Sequence, residues 1–183
     1  TAANNIVSYL VVAGGGGAGG NRAHIQGGGG GGAGGFREYK GPADCYTASP
    51  LNGNPCGTAV TVSAQAYPIT VGAGGDGGKA GQSPTIPGSP GAAATDGSNS
   101  VFATITSAGG GRGAQPKDNS PAPAAGSGAA NTGGSGGGQG GYQPGCGAAG
   151  NTPPVTPPQG NPGGQADTTN YTLGGGGGGA TAN

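Results

Sequence analysis

Ile6-Val7-Ser8-Tyr9-Leu10-Val11-Val12-Ala13-Gly14-Gly15-Gly16-Gly17 is an aliphatic-aromatic stretch that runs without interruption into glycine. Residues 6–12 are rich in the types that favour strands. The glycines behind them decide the fold. A glycine-rich run normally reads as a flexible linker. Such linkers are usually diluted with serine, however, and the runs at 14–17, 27–32, 136–138 and 174–179 mostly lack it. They also follow or frame apolar segments. The reading that fits is a set of polyproline-II-like helices made of glycine, with three residues per turn and backbone polar groups pointing outward. Only glycine lets several such helices lie side by side and exchange N–H···O=C bonds, supplemented by Cα–H···O contacts. A buried N–H needs a partner, so these helices must pack as a lattice.

Composition leads to the same place. Of 183 residues 51 are glycine, against an average usage of roughly 7%. Val, Ile, Leu and Phe together number 18, and Met and Trp are absent. Burying one large apolar side chain contributes roughly 1.5–3 kcal/mol. Ordering one residue's backbone costs about 1–2 kcal/mol, and glycine loses the most freedom. An oily core alone cannot fold this chain. Six Lys/Arg balance six Asp/Glu, so the net charge is zero, whereas disordered chains of low hydrophobicity usually carry high net charge. The absence of a basic patch argues against a nucleic-acid partner. No run approaches the roughly 20 apolar residues of a membrane span. Thr1 in place of Met, with no basic and apolar leader after it, reads as a processed or trimmed start.

Two further strands are expected. One covers about residues 58–71, where Val60 and Val62 alternate with Thr and Ile69 and Val71 follow Tyr67-Pro68. Pro68 fits an edge, a bulge or a strand start. The other covers residues 101–106, with Val101, Ala103 and Ile105 on one face and Phe102, Thr104 and Thr106 on the other. Helical periodicity is absent throughout. The expected class is therefore mainly β and irregular: short strands plus packed polyglycine-II helices, with no α-helix. A single domain over 1–183 is expected, strand-rich to about 107 and Gly/Pro-rich from about 108. Residues 151–162, with Pro153-Pro154, Pro157-Pro158 and Pro162, must be extended and can join the lattice. Residues 114–126 read as a surface loop. The glycines do not recur at every third position, which excludes a collagen triple helix.

Several patterns imitate chemistry. Gly14 to Gly19 matches G-x-G-x-x-G after a strand, with Glu38 about twenty residues on. The dinucleotide mechanism requires a helix directly after the loop, and the glycine-rich residues 21–35 cannot form one. Gly77-Gly78-Lys79-Ala80 lacks the Ser/Thr and the first glycine of a P-loop. His24 is the only histidine, no G-x-S-x-G elbow exists, and the six carboxylates are scattered singly. No enzyme activity, cofactor or metal site is expected.

Cys45, Cys56 and Cys146 contain no C-x-x-C. A Cys45–Cys56 disulfide around the turn-rich residues 46–55 would stabilise by roughly 3 kcal/mol in the chain-entropy model. Cys146 would then be free or pair between subunits. Asn170-Tyr171-Thr172 is an N-glycosylation sequon, compatible with an extracellular chain. Tyr9 and Tyr67 read as structural. Tyr39, Tyr46, Tyr142 and Tyr171 fall in expected loops; Tyr39, Tyr46 and Tyr142 are the surface-contact candidates, suited to stacking on sugar rings.

The chain resembles the glycine-rich domain found in bacteriophage tail fibres, tail-tip adhesins and some bacterial surface proteins. The likeness rests on Tyr9 to Gly17, Gly31-Gly32-Ala33-Gly34-Gly35-Phe36-Arg37 and Tyr67-Pro68-Ile69-Thr70-Val71-Gly72-Ala73-Gly74-Gly75. It continues through Asp96-Gly97-Ser98-Asn99-Ser100-Val101-Phe102 and the proline-rich tail at 150–161. The resemblance implies a sandwich or bundle of polyglycine helices with short strands, located outside the cell or on a virion. It also implies loops at one end that contact a host surface. The segment holding Cys45 and Cys56 departs from the pattern as an apparent insertion. Two functions follow as expectations. The first is a non-enzymatic adhesin-like domain whose loops, 38–55 and 114–126, meet a cell-surface glycan or outer-membrane receptor. The second is a self-assembling filament subunit whose strand Ile6, Val7, Tyr9, Leu10, Val11, Val12 adds to a neighbour's sheet.

Overall fold

Glycine without side chains leaves the backbone as the main source of cohesion, and the hydrogen bonds show how it is used. A computed structural model describes residues 5–21, 27–53, 58–79, 92–116, 128–141, 145–167 and 173–181. In residues 13–20, Ala13, Gly16 and Gly19 donate to the carbonyls of Gly35, Gly32 and Gly29. Gly14 and Gly17 donate to Ser98 and Thr95 instead. Every third amide thus meets the same neighbour, the rhythm of a helix with three residues per turn. Gly29, Gly32 and Gly35 repeat it toward Ala114, Gly111 and Ala108, and Gly30 and Ala33 toward Gly175 and Gly178.

Followed outward, these bonds define two stacked rows of extended helices. One row runs 72–79, 13–20, 27–35, 173–179, and the other 92–99, 108–116, 133–141, 159–167. Residues 147–150 lie against the last two of the second row, through Gly133 to Ala149, Ala148 to Gly137 and Gly163 to Ala148. The 108–116 helix is enclosed on several sides, and Ala114 within it is fully buried. The few polar side chains inside serve the backbone. Gln159, 1% exposed, accepts from the Ala108 amide through Oε1 (2.8 Å) and donates to the Pro153 carbonyl through Nε2 (2.8 Å). Ser135 donates from Oγ to the Gly179 carbonyl at 3.0 Å.

At one end the helices become strands. In chain order these are β1 (Ile6–Val7), β2 (Tyr9–Val12), β3 (Phe36–Tyr39), β4 (Val60–Thr61), β5 (Ile69–Thr70), β6 (Ser100–Phe102) and β7 (Ile105–Ser107). β2 enters 13–20, β3 continues 27–35, β5 leads into 72–79, β6 continues 92–99, and β7 leads into 108–116. Among the described residues the strands pair antiparallel, β1 with β4, β2 with β3, and β5-β6-β7 as a three-stranded sheet, and an isolated parallel bridge joins Glu38 to Asn52. The small apolar core sits between these sheets and contains Tyr9, Val11, Tyr39, Val60 and Ile105. Tyr9 stacks on Tyr39 with ring centroids 6.1 Å apart and tilts against Phe102 at 6.0 Å. Its hydroxyl donates to the Thr58 carbonyl at 2.7 Å.

The mainly β and irregular class holds, and no helix of the α type occurs among the described residues. The strand expectations need correction in detail. Residues 6–12 are two strands broken at Ser8, whose Oγ accepts from the Gly41 amide and donates to Asp44. Residues 58–71 hold β4 and β5 in different sheets. Between them Tyr67 folds back, its oxygen accepting the Ser63 amide at 2.8 Å. Pro68 directly precedes β5. Residues 101–106 are not one strand but the tip of the β6–β7 hairpin, two paired strand ends joined by a turn at 103–104, where Ala103 takes φ 51. Alanine there gives no turn signal in the sequence. β3 is a strand without a strand pattern, because Arg37 and Glu38 look like surface residues. Asn151 and Thr152 join the lattice, donating their amides to Gly134 and Gly133; the chain then turns through 153–158, with the Asn151 carboxamide oxygen accepting from Val155 and Gln159, and lattice bonds resume at 159.

Candidate functional site

The strand end is where side chains leave the lattice, and its two sides differ. The outer edge of β3 is covered. Glu38 Oε2 accepts from the Ser49 amide at 2.9 Å, its carbonyl accepts from Gly53 at 2.8 Å, and Lys40 donates its amide to Asn52 at 2.9 Å. The loop at 41–53 is thereby pinned to β3. The opposite edge of β2 pairs with no strand among the described residues.

That open edge borders a groove of about 370 Å³. Residues 7–12 form one wall, and residues 69–71 and 100–102 the other. Successive strand residues point to opposite faces, so an unbroken run can border one groove only along its edge. Among the described residues the lining carries no charged side chain. Leu10 is 59% exposed, Val12 50%, Ile69 70% and Val71 83%. β5 is exposed at both of its residues.

The groove has a clear origin. Helices 13–20 and 72–79 are bonded side by side, with Gly75 donating to Gly15 and Gly78 to Ala18. Their continuations, β2 and β5, separate: β2 turns to β3, and β5 turns to β6. The groove is the seam left open between them.

The expected contact residues fall in different places. Tyr39 is a correction: it is 6% exposed, in β3, stacked on Tyr9, because the ladder turns it toward the core. Tyr46 is 45% exposed on the 41–53 loop, with the Lys40 ammonium 5.5 Å from its ring centre. Tyr142, Tyr171, Asn170 and His24 lie outside the described residues. Of the 114–126 loop, Ala114 and Gln115 are buried in the lattice and 117–126 lie outside the described residues. Cys45 is an exposed free thiol, so the expected Cys45–Cys56 bridge is not formed; backbone bonds to β3 hold its loop instead. Cys56 lies outside the described residues, and Cys146 is an exposed free thiol. The strand residues 6–12 are already paired on one side, leaving the other edge of β2 as the groove wall. Among the described residues no three His, Cys, Asp or Glu side chains gather as a metal set, and no helix is long and apolar enough to cross a membrane.

Tyrosines mark this end spectroscopically. Burial pushes the Tyr9 phenol above its ordinary value of 10.0, outweighing the Thr58 hydrogen bond and the Arg37 charge. Hydrogen bonds from the Ser63 hydroxyl and amide and from Gln65 hold Tyr67 below it. In alkaline titration Tyr67 ionises before an ordinary phenol and Tyr9 after it. The stability contributed by neutral Tyr9 is complete below the unfolded value and is lost as pH rises through the folded one. Phenolate absorbance of wild type, Tyr9→Phe and Tyr67→Phe checks the order; one common transition contradicts it.

Compared with known proteins, residues 1–183 match one family, described as a glycine-rich domain. No curated protein and no solved structure matches the chain.

Proposed function

The chain belongs to the glycine-rich domain family, and from that premise we propose that it is a non-enzymatic extracellular structural protein, a subunit built into a larger assembly. The observation that carries this reading is the uncharged groove with its exposed aliphatic walls. Only 18 Val, Ile, Leu and Phe residues exist in the chain. A fold so short of apolar side chains gains nothing from leaving Leu10, Val12, Ile69 and Val71 in water. A partner's surface gives them a use. The lattice supports the structural part of the reading, since its interior is backbone against backbone. The loop-attachment function has weaker support, because Tyr39 and residues 114–115 are buried. Tyr46, exposed beside Lys40, favours it as a second reading. There the domain is adhesin-like, as in a tail fibre, and contacts a cell-surface glycan or outer-membrane receptor.

Electron microscopy of native material tests the choice. Regular polymers of one repeating subunit are the expected result. Discrete particles, or density confined to the tips of phage tails, overturn the assembly reading in favour of attachment through the 41–53 loop.

A further inference from the structure

We propose that the open seam binds a second copy of this chain, with β5 of each copy lying along the free edge of β2 in the other. The inference rests on the assembly reading and names one of its contacts, the two-copy unit; a two-fold contact closes on itself, so a polymer joins such pairs through a second surface.

Groove and ridge occur on the same face. Among the described residues, β2 offers an unpaired edge at the groove wall, and β5 offers an unpaired edge whose Ile69 and the following Val71 stand 70% and 83% exposed. Such edges are ordinarily covered, bulged or charged to prevent pairing. The chain does cover the edge of β3, with Asn52 and Gly53. Among the described residues it places no charged one on the groove. Within one copy, β2 and β5 continue helices that are already bonded neighbours, yet the strands themselves do not pair. A two-fold arrangement supplies the missing pairing twice, because each copy contributes one β2 edge and one β5 ridge. This is the self-complementarity that an isologous interface requires.

Charge favours the same occupant. The uncharged lining offers nothing to recognise an acidic or basic partner. The chain has net charge zero, so two copies meet without long-range repulsion. The paired sheets would bury Leu10 and Val12 of one copy against Ile69 and Val71 of the other.

Sedimentation equilibrium of the full chain under reducing conditions, which removes disulfide linkage through Cys45 or Cys146, tests the pairing. Wild type is expected to associate. Val71→Lys and Leu10→Glu, each placing an unpaired charge in the contact, should each weaken self-association at least about tenfold. Both positions are exposed, and unchanged thermal unfolding of the dilute variants confirms that the fold survives. Mixing the two variants should restore association. One half of the mixed pair is then native. In the other half the introduced ammonium at position 71 meets the introduced carboxylate at position 10, but only if β5 faces β2 of the partner.

A wild type that stays monomeric at about millimolar concentration, where even weak complexes form, overturns the proposal, whatever else the groove binds. Variants that associate like wild type also overturn it, as does a mixture that stays dissociated. Polymers in micrographs alongside unaffected variants would sink this interface while leaving the assembly reading standing.

Discussion

Gly111→Ala is expected to remove a large share of the protein's stability, while Gly176→Ala leaves it intact. A Cβ on Gly111 would lie 1.8 Å from the Asn131 carbonyl oxygen and 2.6 Å from its carbon. Those atoms are backbone and cannot rotate away as a side chain would. Gly111 donates to Ser135 and accepts from Gly32, so separating the helices enough to admit a methyl breaks bonds on several sides. Ordinary overpacking costs about 1–3 kcal/mol. Here each lost backbone bond adds about 0.5–1.5 kcal/mol, and more where a buried group is stranded. The total should exceed about 4 kcal/mol, a large share of the roughly 5–15 kcal/mol of a typical domain. Around Gly176 a Cβ would meet nothing within 4 Å. Alanine there should be neutral or stabilising by up to about 1 kcal/mol, through a less flexible unfolded chain. Urea unfolding of both variants decides. Similar stability for the two would mean that the lattice yields, and the packing argument fails.

Tyr9→Ala carries the second largest expected effect, about 3–5 kcal/mol, in the range of large aromatic truncations. Tyr9 touches both sheets, stacking on Tyr39 from β3 and tilting against Phe102 from β6. Few other large residues are present to collapse into the space. Tyr9→Phe keeps the rings and loses only the hydrogen bond to Thr58, costing about 1 kcal/mol. The difference between the variants separates packing from hydrogen bonding. Equal losses would show that the ring contacts contribute little.

The glycine lattice is legible in the sequence because serine-poor runs directly after an aliphatic strand make poor linkers. The pairing of its helices is not, since glycine residues are chemically identical and no local signal says which run lies beside which. β3 is hidden because Arg37 and Glu38 are buried by contacts from distant segments: Glu38 by the amide of Ser49, and Arg37 by facing inward opposite Val11. The hairpin at Ala103 is hidden by a turn that uses a residue ordinarily averse to positive φ. The strand Ile6 to Val12 is visible as an assembly candidate, but its wall of the groove is not. Which edge of β2 stays open depends on β5 departing toward β6, a choice made between residues far apart in sequence.

The three-residue rhythm of the hydrogen bonds also limits how the gene can change length. Adding one residue inside a run such as 27–35 turns everything beyond it by about 120° about the helix axis. Amides that faced one neighbour then face another, and each downstream bond is mismatched. Adding or removing three residues restores the phase and merely slides the register by one turn. Within the lattice, tolerated insertions and deletions should therefore come three codons at a time, while the connecting loops can drift freely in length.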